Sequence, residues 1–280
     1  MGVRIVSDSA CDLPPALCEE LGIEIVPLTI RFGADELVDR VELTTEAFWE
    51  RLAHSKVLPE TAAPSVGAFE SAFRSLHENG ADAIVCINLS SRMSATMQSA
   101  QIAAKSLEDV CPVEVIDSKS ASMGIGMLCI EAAARAREGA DLETVVAAVE
   151  RARDRARLLF TVDTLEYLRK GGRIGGAQAM LGSMLSIKPV ITVQDGAVEP
   201  VGKVRTRSKA LRFIVDRVKE RPVESLCVLH AQAPDVADFI AMLEPIVPTD
   251  IVVGEIGPVV GVHAGPATIG VTWLEAPAPY

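Results

Sequence analysis

Hydrophobic and polar positions follow two rhythms along this chain. Short apolar runs of strand length, rich in valine and isoleucine, alternate with longer stretches in which apolar residues return every three or four positions, as on one face of a helix. Residues 3–7 read as a strand, and Asp12-Leu13-Pro14-Pro15 then supplies a cap-plus-proline start for a helix running to about residue 20. Residues 23–30 read as one further strand. Thr44 or Thr45 caps a helix carrying Phe48, Trp49 and Leu52 on one side, and a proline loop follows at residues 61–65. A helix over 67–78 leads to an apolar strand at 83–88, Ser94 opens the next helix, and a strand at 113–116 precedes alanine-rich helices over 121–137 and 142–156. Strands alternating with helices predict a parallel sheet covered on both faces.

Beyond residue 155 the pattern changes. A strand at 158–162 is followed by a helix over 164–169, with Asp163 and Glu166 as its capping pair, and by the glycine-rich run Lys170-Gly171-Gly172-Arg173-Ile174-Gly175-Gly176. Strands at 187–193 and 197–205 flank Asp195-Gly196, a strong hairpin signal and one foreign to a purely parallel sheet. A basic helix near 207–219, strands at 225–230, 250–254 and 267–274, and a helix at 234–244 complete the series. The expected architecture is α/β in two domains: residues 1–155 as a three-layer α/β/α unit with a parallel sheet, and residues 156–280 as an α/β unit with a mixed sheet.

Composition narrows the chemistry. No run reaches the ~18 apolar residues of a spanning helix, and Met1-Gly2-Val3-Arg4 lacks a signal-peptide core, so a cytoplasmic location is expected. Six cysteines without C-x-x-C and four scattered histidines argue against a metal site and for buried, reduced thiols. A net charge of −11 opposes contact with nucleic acid, yet residues 203–221 hold eight Lys or Arg against Asp216 and Glu220. That stretch is either a solvated helix face or a docking site for an anionic group or acidic partner. There is no P-loop and no G-x-S-x-G elbow. What remains are hydroxyl- and glycine-rich turns at strand ends, where open α/β sheets bind ligands.

Each such residue has a bland and a sharp reading. Thr61 is a turn residue or a ligand contact. Ser94 is an N-cap, or, with the backbone N–H groups of Ala95 and Thr96, an anion site at a helix start. Arg173, between glycine pairs on a loop, suits an anion or a partner. His263 lies in a small-residue turn, Gly261-Val262-His263-Ala264-Gly265-Pro266, as a buried histidine or a site residue.

Taken in order, these segments resemble the DegV family, which includes the fatty-acid-binding subunits of bacterial fatty acid kinase. The resemblance rests on Asp8-Ser9-Ala10-Cys11-Asp12-Leu13-Pro14, Thr61-Ala62-Ala63-Pro64-Ser65, Leu89-Ser90-Ser91-Arg92-Met93-Ser94-Ala95-Thr96, Asp117-Ser118, residues 164–174, Lys188-Pro189-Val190 and residues 261–266. It implies a long-chain fatty acid sealed in an inter-domain tunnel, with Thr61, Ser94, Ala95, Thr96 and His263 at its carboxylate. It also implies a carrier without phosphoryl-transfer chemistry or cofactor of its own, serving a separate dihydroxyacetone-kinase-like subunit that uses ATP. Arg173 would lie near the opening facing that kinase, and Lys203, Arg205 and Arg207 would contact the partner or the new phosphate. Transient membrane contact is compatible with such a carrier. Ala62, Ala95, Met97 and Ala267 depart from the family's usual Ser, Gly, Tyr and Gly. An enzyme on a small phosphorylated or dihydroxyacetone-like substrate, using Asp8, Asp12 and His263, and a non-catalytic interaction protein are the competing readings.

Overall fold

The computed structural model describes residues 2–277, side chains of residues 183–186 excepted, so the outermost residues of the two expected domains (1 and 278–280) lie outside the described residues. The first half runs β1 (Gly2–Asp8), α1 (Pro15–Leu21), β2 (Ile23–Val26), β3 (Thr29–Phe32), β4 (Asp35–Val38), α2 (Thr45–His54), β5 (Glu60–Ala62), α3 (Val66–Glu78), β6 (Ala81–Asn88), α4 (Thr96–Lys105), β7 (Val113–Asp117), α5 (Met123–Arg137) and α6 (Leu142–Arg155). The second runs β8 (Ala156–Thr161), α7 (Glu166–Lys170), β9 (Lys188–Gln194), β10 (Ala197–Val204), α8 (Arg207–Val218), β11 (Val223–His230), α9 (Val236–Leu243), β12 (Val252–Glu255), α10 (Pro258–Ala264) and β13 (Ile269–Glu275).

The strands form a four-stranded parallel sheet in the order β2-β1-β6-β7, and a six-stranded sheet in the order β10-β9-β8-β13-β11-β12 in which only β11 and β12 run parallel. Ile84, Val85, Cys86 and Ile87 of the inner strand β6 are all fully buried, as a strand covered on both faces requires. The mixed sheet separates two environments by strand alternation. Leu159, Val190, Val228 and Val271 pack against α8 and α9. Their neighbours Leu158, Phe160, Leu229 and Gly270 face the other way, toward the parallel-sheet half.

Three sequence expectations are corrected. Residues 23–30 are two strands: Pro27 interrupts the run, and β3 leaves the parallel sheet to pair antiparallel with β4 and β5 in a small third sheet. Asp163 does not cap α7; the Thr164 hydroxyl accepts from the Glu166 N–H, while Asp163 pairs with Lys188 and Glu166 with Lys170. Residues 261–264, read as a turn, belong to the short helix α10, with Pro258 in its first turn.

The hairpin at Asp195-Gly196 forms as expected, with φ of 48° and 80° at its two tip residues. Its tip docks on the other half of the molecule: Ser90 donates its hydroxyl to the Gly196 carbonyl at 2.7 Å, and Arg92 donates to the Asp195 carbonyl at 3.0 Å. The segment around α10 makes the reverse crossing. Trp49 of α2 donates its indole N–H to the Ile256 carbonyl at 3.2 Å, and Val259 and Val262 join the core of the first half.

Candidate functional site

Where the two halves meet, the inward face of the mixed sheet and α10 line a largely apolar cavity. Leu158, Phe160 and Leu229 form one wall, Val259 and Val260 of α10 another, and Leu28 and Leu89 close the parallel-sheet side. Gly270 lies between Leu229 and Phe160 in register, and a Cβ there would stand 2.5 Å from both the Phe160 Cβ and the Leu159 carbonyl, so the close approach of β8 and β13 requires glycine.

The polar groups on this wall are few, and four of them converge. Thr61 on β5 brings its hydroxyl to 3.0 Å from His263 Nε2 on α10. The other ring nitrogen of His263 is buried and has no partner among the described residues. It faces Gly171, where a Cβ would stand 2.2 Å from it. The Gly171 carbonyl accepts from Arg173 Nη1 at 2.7 Å, and Arg173 Nε donates to the Met93 carbonyl at 3.0 Å, next to Ser94. Thr61, His263, Arg173 and Ser94 are thus linked into one polar end of an otherwise apolar cavity. Two further hydroxyls on the wall are engaged elsewhere: Thr268 donates to the Ala264 carbonyl and Ser122 to Asp12.

Burial, with the Arg173 charge as a second cause, pushes the His263 imidazole down to about 4, so at neutral pH the ring holds one proton. An unpartnered buried N–H is costlier than an unpartnered ring lone pair, which places that proton on Nε2. Nε2–H then donates to the Thr61 oxygen and leaves the Thr61 O–H to donate into the cavity. Ser94 is arranged in the same way. Its oxygen lies 2.8 Å from the fully buried Thr96 hydroxyl and accepts the Thr96 N–H at 3.3 Å, which fixes it on the cavity wall. The result is two hydroxyls, each hydrogen-bonded to a second group, beside the Arg173 guanidinium with its bonds to the Met93 and Gly171 carbonyls.

The remaining residues singled out in the sequence sit differently. Ala95 caps α4 and Thr96 buttresses Ser94, but neither lines the cavity. Lys203 and Arg205 are exposed. Arg207 is held in a two-pronged ion pair with Asp235, at 2.6 and 2.8 Å, which ties α8 to α9 on the far face of the mixed sheet. Asp8 and Asp12 do not line the cavity. Asp8 is completely buried and accepts from Leu89 N, Ala10 N and the Asn88 side chain, the role of a loop organiser. Gly171 and Ser122 were missed as site residues: what marks them is proximity to His263 and Asp12, more than ninety residues away in the chain.

The arrangement suits a largely apolar molecule carrying one hydrogen-bonding group. The family model for "Uncharacterised protein, DegV family" matches residues 2–276, and the chain belongs to the DegV family. A DegV domain-containing protein of Streptomyces coelicolor is 38% identical over 276 residues, covering 96% of this chain and 97% of its own length. Among solved structures, one described as fatty acid binding of a DegV family protein from Thermus thermophilus superposes with a TM-score of 0.91 at 34% identity, over 99% of this chain and 100% of that one. A stearic-acid-binding protein from Eubacterium ventriosum gives 0.90 at 30% identity, over 98% of both chains. The two-domain α/β fold is shared with these structures. Among the described residues no helix is long and apolar enough to cross a membrane.

Proposed function

We propose that this protein binds a long-chain fatty acid in the cavity between its two sheets and presents the carboxylate to a separate ATP-dependent kinase for conversion to acyl phosphate. The observation that carries this reading is an apolar cavity whose polar groups gather at one end, at Thr61, Ser94, His263 and Arg173. Burying about fifteen methylenes supplies on the order of 10 kcal/mol, so the tail dominates affinity. The Thr61 and Ser94 hydroxyls would hold the carboxylate without a paired cation buried against it. Such a hold suits a group that must still react, because a tight Arg–carboxylate pair would resist conversion. In this reading residues 1–155 supply most of the head-group loops, α10 reaches back from the second half to add His263, and residues 156–280 close the tunnel.

The sequence has no P-loop, and in this reading phosphoryl transfer belongs to the partner. Arg173 at the polar end and the exposed Lys203 and Arg205 would face the kinase or the new phosphate, whereas Arg207 stitches α8 to α9. The test is to mix the lipid-loaded protein with a dihydroxyacetone-kinase-like subunit and ATP and follow acyl phosphate. Compared at equal lipid loading, Arg173→Glu is expected to lose phosphorylation. Unchanged phosphorylation would remove Arg173 from the partner surface, and absence of any acyl phosphate with the wild type would remove the kinase from the account.

A further inference from the structure

Asp12 stands outside the cavity yet holds two of its walls. The residue has φ of +53° and is buried, in the loop after β1. One carboxylate oxygen accepts the Gly257 N–H at 3.0 Å, immediately before α10, the helix that carries His263. The approach is tight, since a Cβ on Gly257 would stand 2.7 Å from that oxygen. The other oxygen accepts the Ser122 hydroxyl. Ser122 lines the cavity with φ of 56° and ψ of −143°, a conformation that only glycine adopts freely and that persists where neighbours hold it.

The loop that Ser122 ends also separates two spaces. Ala121 and Ser122 face the apolar cavity, while Ser118, Lys119 and Ser120 line a polar cleft on the other side, and Leu158 and Val193 border both. Lys119 is a second non-glycine residue in this loop with positive φ, 51°. Within the loop the Lys119 N–H donates to Asp117 at 2.8 Å and the Ser120 N–H to Ser118 at 3.1 Å, whereas the strained Ser122 is tied by its side chain to Asp12, the contact that joins this wall to α10.

We propose that Asp12 is a positioning residue for the lipid site: its carboxylate latches Ser122 and the start of α10 together, and releasing it opens the cavity toward the polar cleft and speeds exchange of the bound fatty acid. The inference rests on the fatty-acid reading above. The ionised carboxylate makes two charge-assisted hydrogen bonds, stronger than those of the neutral acid. Burial above all pushes Asp12 up to about 7 while the Ser122 and Gly257 hydrogen bonds pull it down, so releasing them with the residue still buried raises its affinity for a proton, and the latch weakens as pH falls through neutrality. The groups facing it are Arg40, which donates to the Leu13 and Ser9 carbonyls, Asp39, pushed by burial to about 6, and the Cys227 thiol, pushed by burial to about 12 and neutral throughout.

The protein is loaded with palmitate, challenged with excess deuterated palmitate at pH 8 and pH 6, and followed by native mass spectrometry. Exchange by the wild type is expected to be at least about threefold faster at pH 6. Asp12→Asn, which imitates the neutral acid, is expected to exchange at the fast rate at both pH values, and Asp39→Asn to keep the wild-type step. A pH-independent wild type, or a step that persists in Asp12→Asn, overturns the proposal. Should Asp12→Asn not fold, Ser122→Ala reads the same latch from the other side: loss of the step supports it and retention overturns it. Should palmitate bind to none of them, the fatty-acid reading fails. Amide hydrogen exchange over residues 118–124 and 257–264 then decides the latch alone, with faster exchange in Asp12→Asn at pH 8 expected and unchanged exchange contradicting it.

Discussion

The Thr61 hydroxyl and the His263 imidazole meet at 3.0 Å although 202 positions separate them in the chain. The contact joins β5 of the small antiparallel sheet to α10, and it fixes the position of the threonine hydroxyl on the cavity wall. Thr61→Val removes that donor at nearly constant shape. It is expected to weaken fatty-acid affinity about tenfold, the value of a hydrogen bond to a charged group, while binding of the corresponding methyl ester changes little. Calorimetric titration with both ligands checks this, and equal losses for acid and ester would place the carboxylate elsewhere.

Gly171 is required by His263. A methyl group at residue 171 would drive into the ring nitrogen at 2.2 Å, and the carbonyl of the same residue anchors Arg173. Gly171→Ala is therefore expected to displace the imidazole and weaken binding by an amount similar to Thr61→Val. Combining the two should cost less than the sum of the single effects, because both act on one contact. Full additivity in a double-mutant cycle would contradict this.

Ala267 holds φ of 58° in the turn before β13, where its N–H donates to the Ala231 carbonyl at 2.7 Å. An L-residue in this region carries roughly 1–2 kcal/mol of strain. After the added flexibility that glycine gives the unfolded chain, Ala267→Gly is expected to raise stability by about 0.5–1 kcal/mol. Urea denaturation reads it directly, and a lower midpoint would show that the turn is not strained.

Stability should depend on pH through the buried carboxylates. Neither carboxylate oxygen of Asp39 has a hydrogen-bond partner among the described residues, and burial raises its affinity for a proton, to about 6 for Asp39 and about 7 for Asp12. Both values lie above the ordinary carboxylate value of about 4, so between pH 4 and 7 the folded state binds more protons than the unfolded one, and stability falls as pH rises. His263, lowered to about 4, acts in the opposite sense between pH 4 and 6.5, leaving the carboxylates ahead. Asp39→Asn is expected to flatten the profile below pH 7 and to raise the thermal midpoint at pH 8. A profile as steep as the wild type's would exclude Asp39 as its source.

Much of the fold was legible because it is local. The hydrophobic run of β6, the Asp195-Gly196 turn and the Thr44 cap each announce themselves within a few residues. The three- and four-residue strands β3, β4 and β5 carry too few positions for alternation to register, so β3 was merged with β2 into one strand, β4 went unread and β5 fell within the proline loop. The seven-residue helix α10 was hidden by Gly261 and Gly265, although Gly257-Pro258 marks its start. The site divides similarly. Thr61, Ser94, Arg173 and His263 stood out through their motifs, whereas the Asp12–Ser122 contact and the cover that Gly171 gives His263 exist only once distant segments pack.

The central claim, that the cavity holds a fatty acid, is tested most directly by native mass spectrometry of the protein purified from a recombinant host, followed by lipid extraction. The account predicts one fatty acid per chain, recovered by extraction and replaceable by added palmitate. A clean unliganded mass that stays unchanged when fatty acids are added would contradict it.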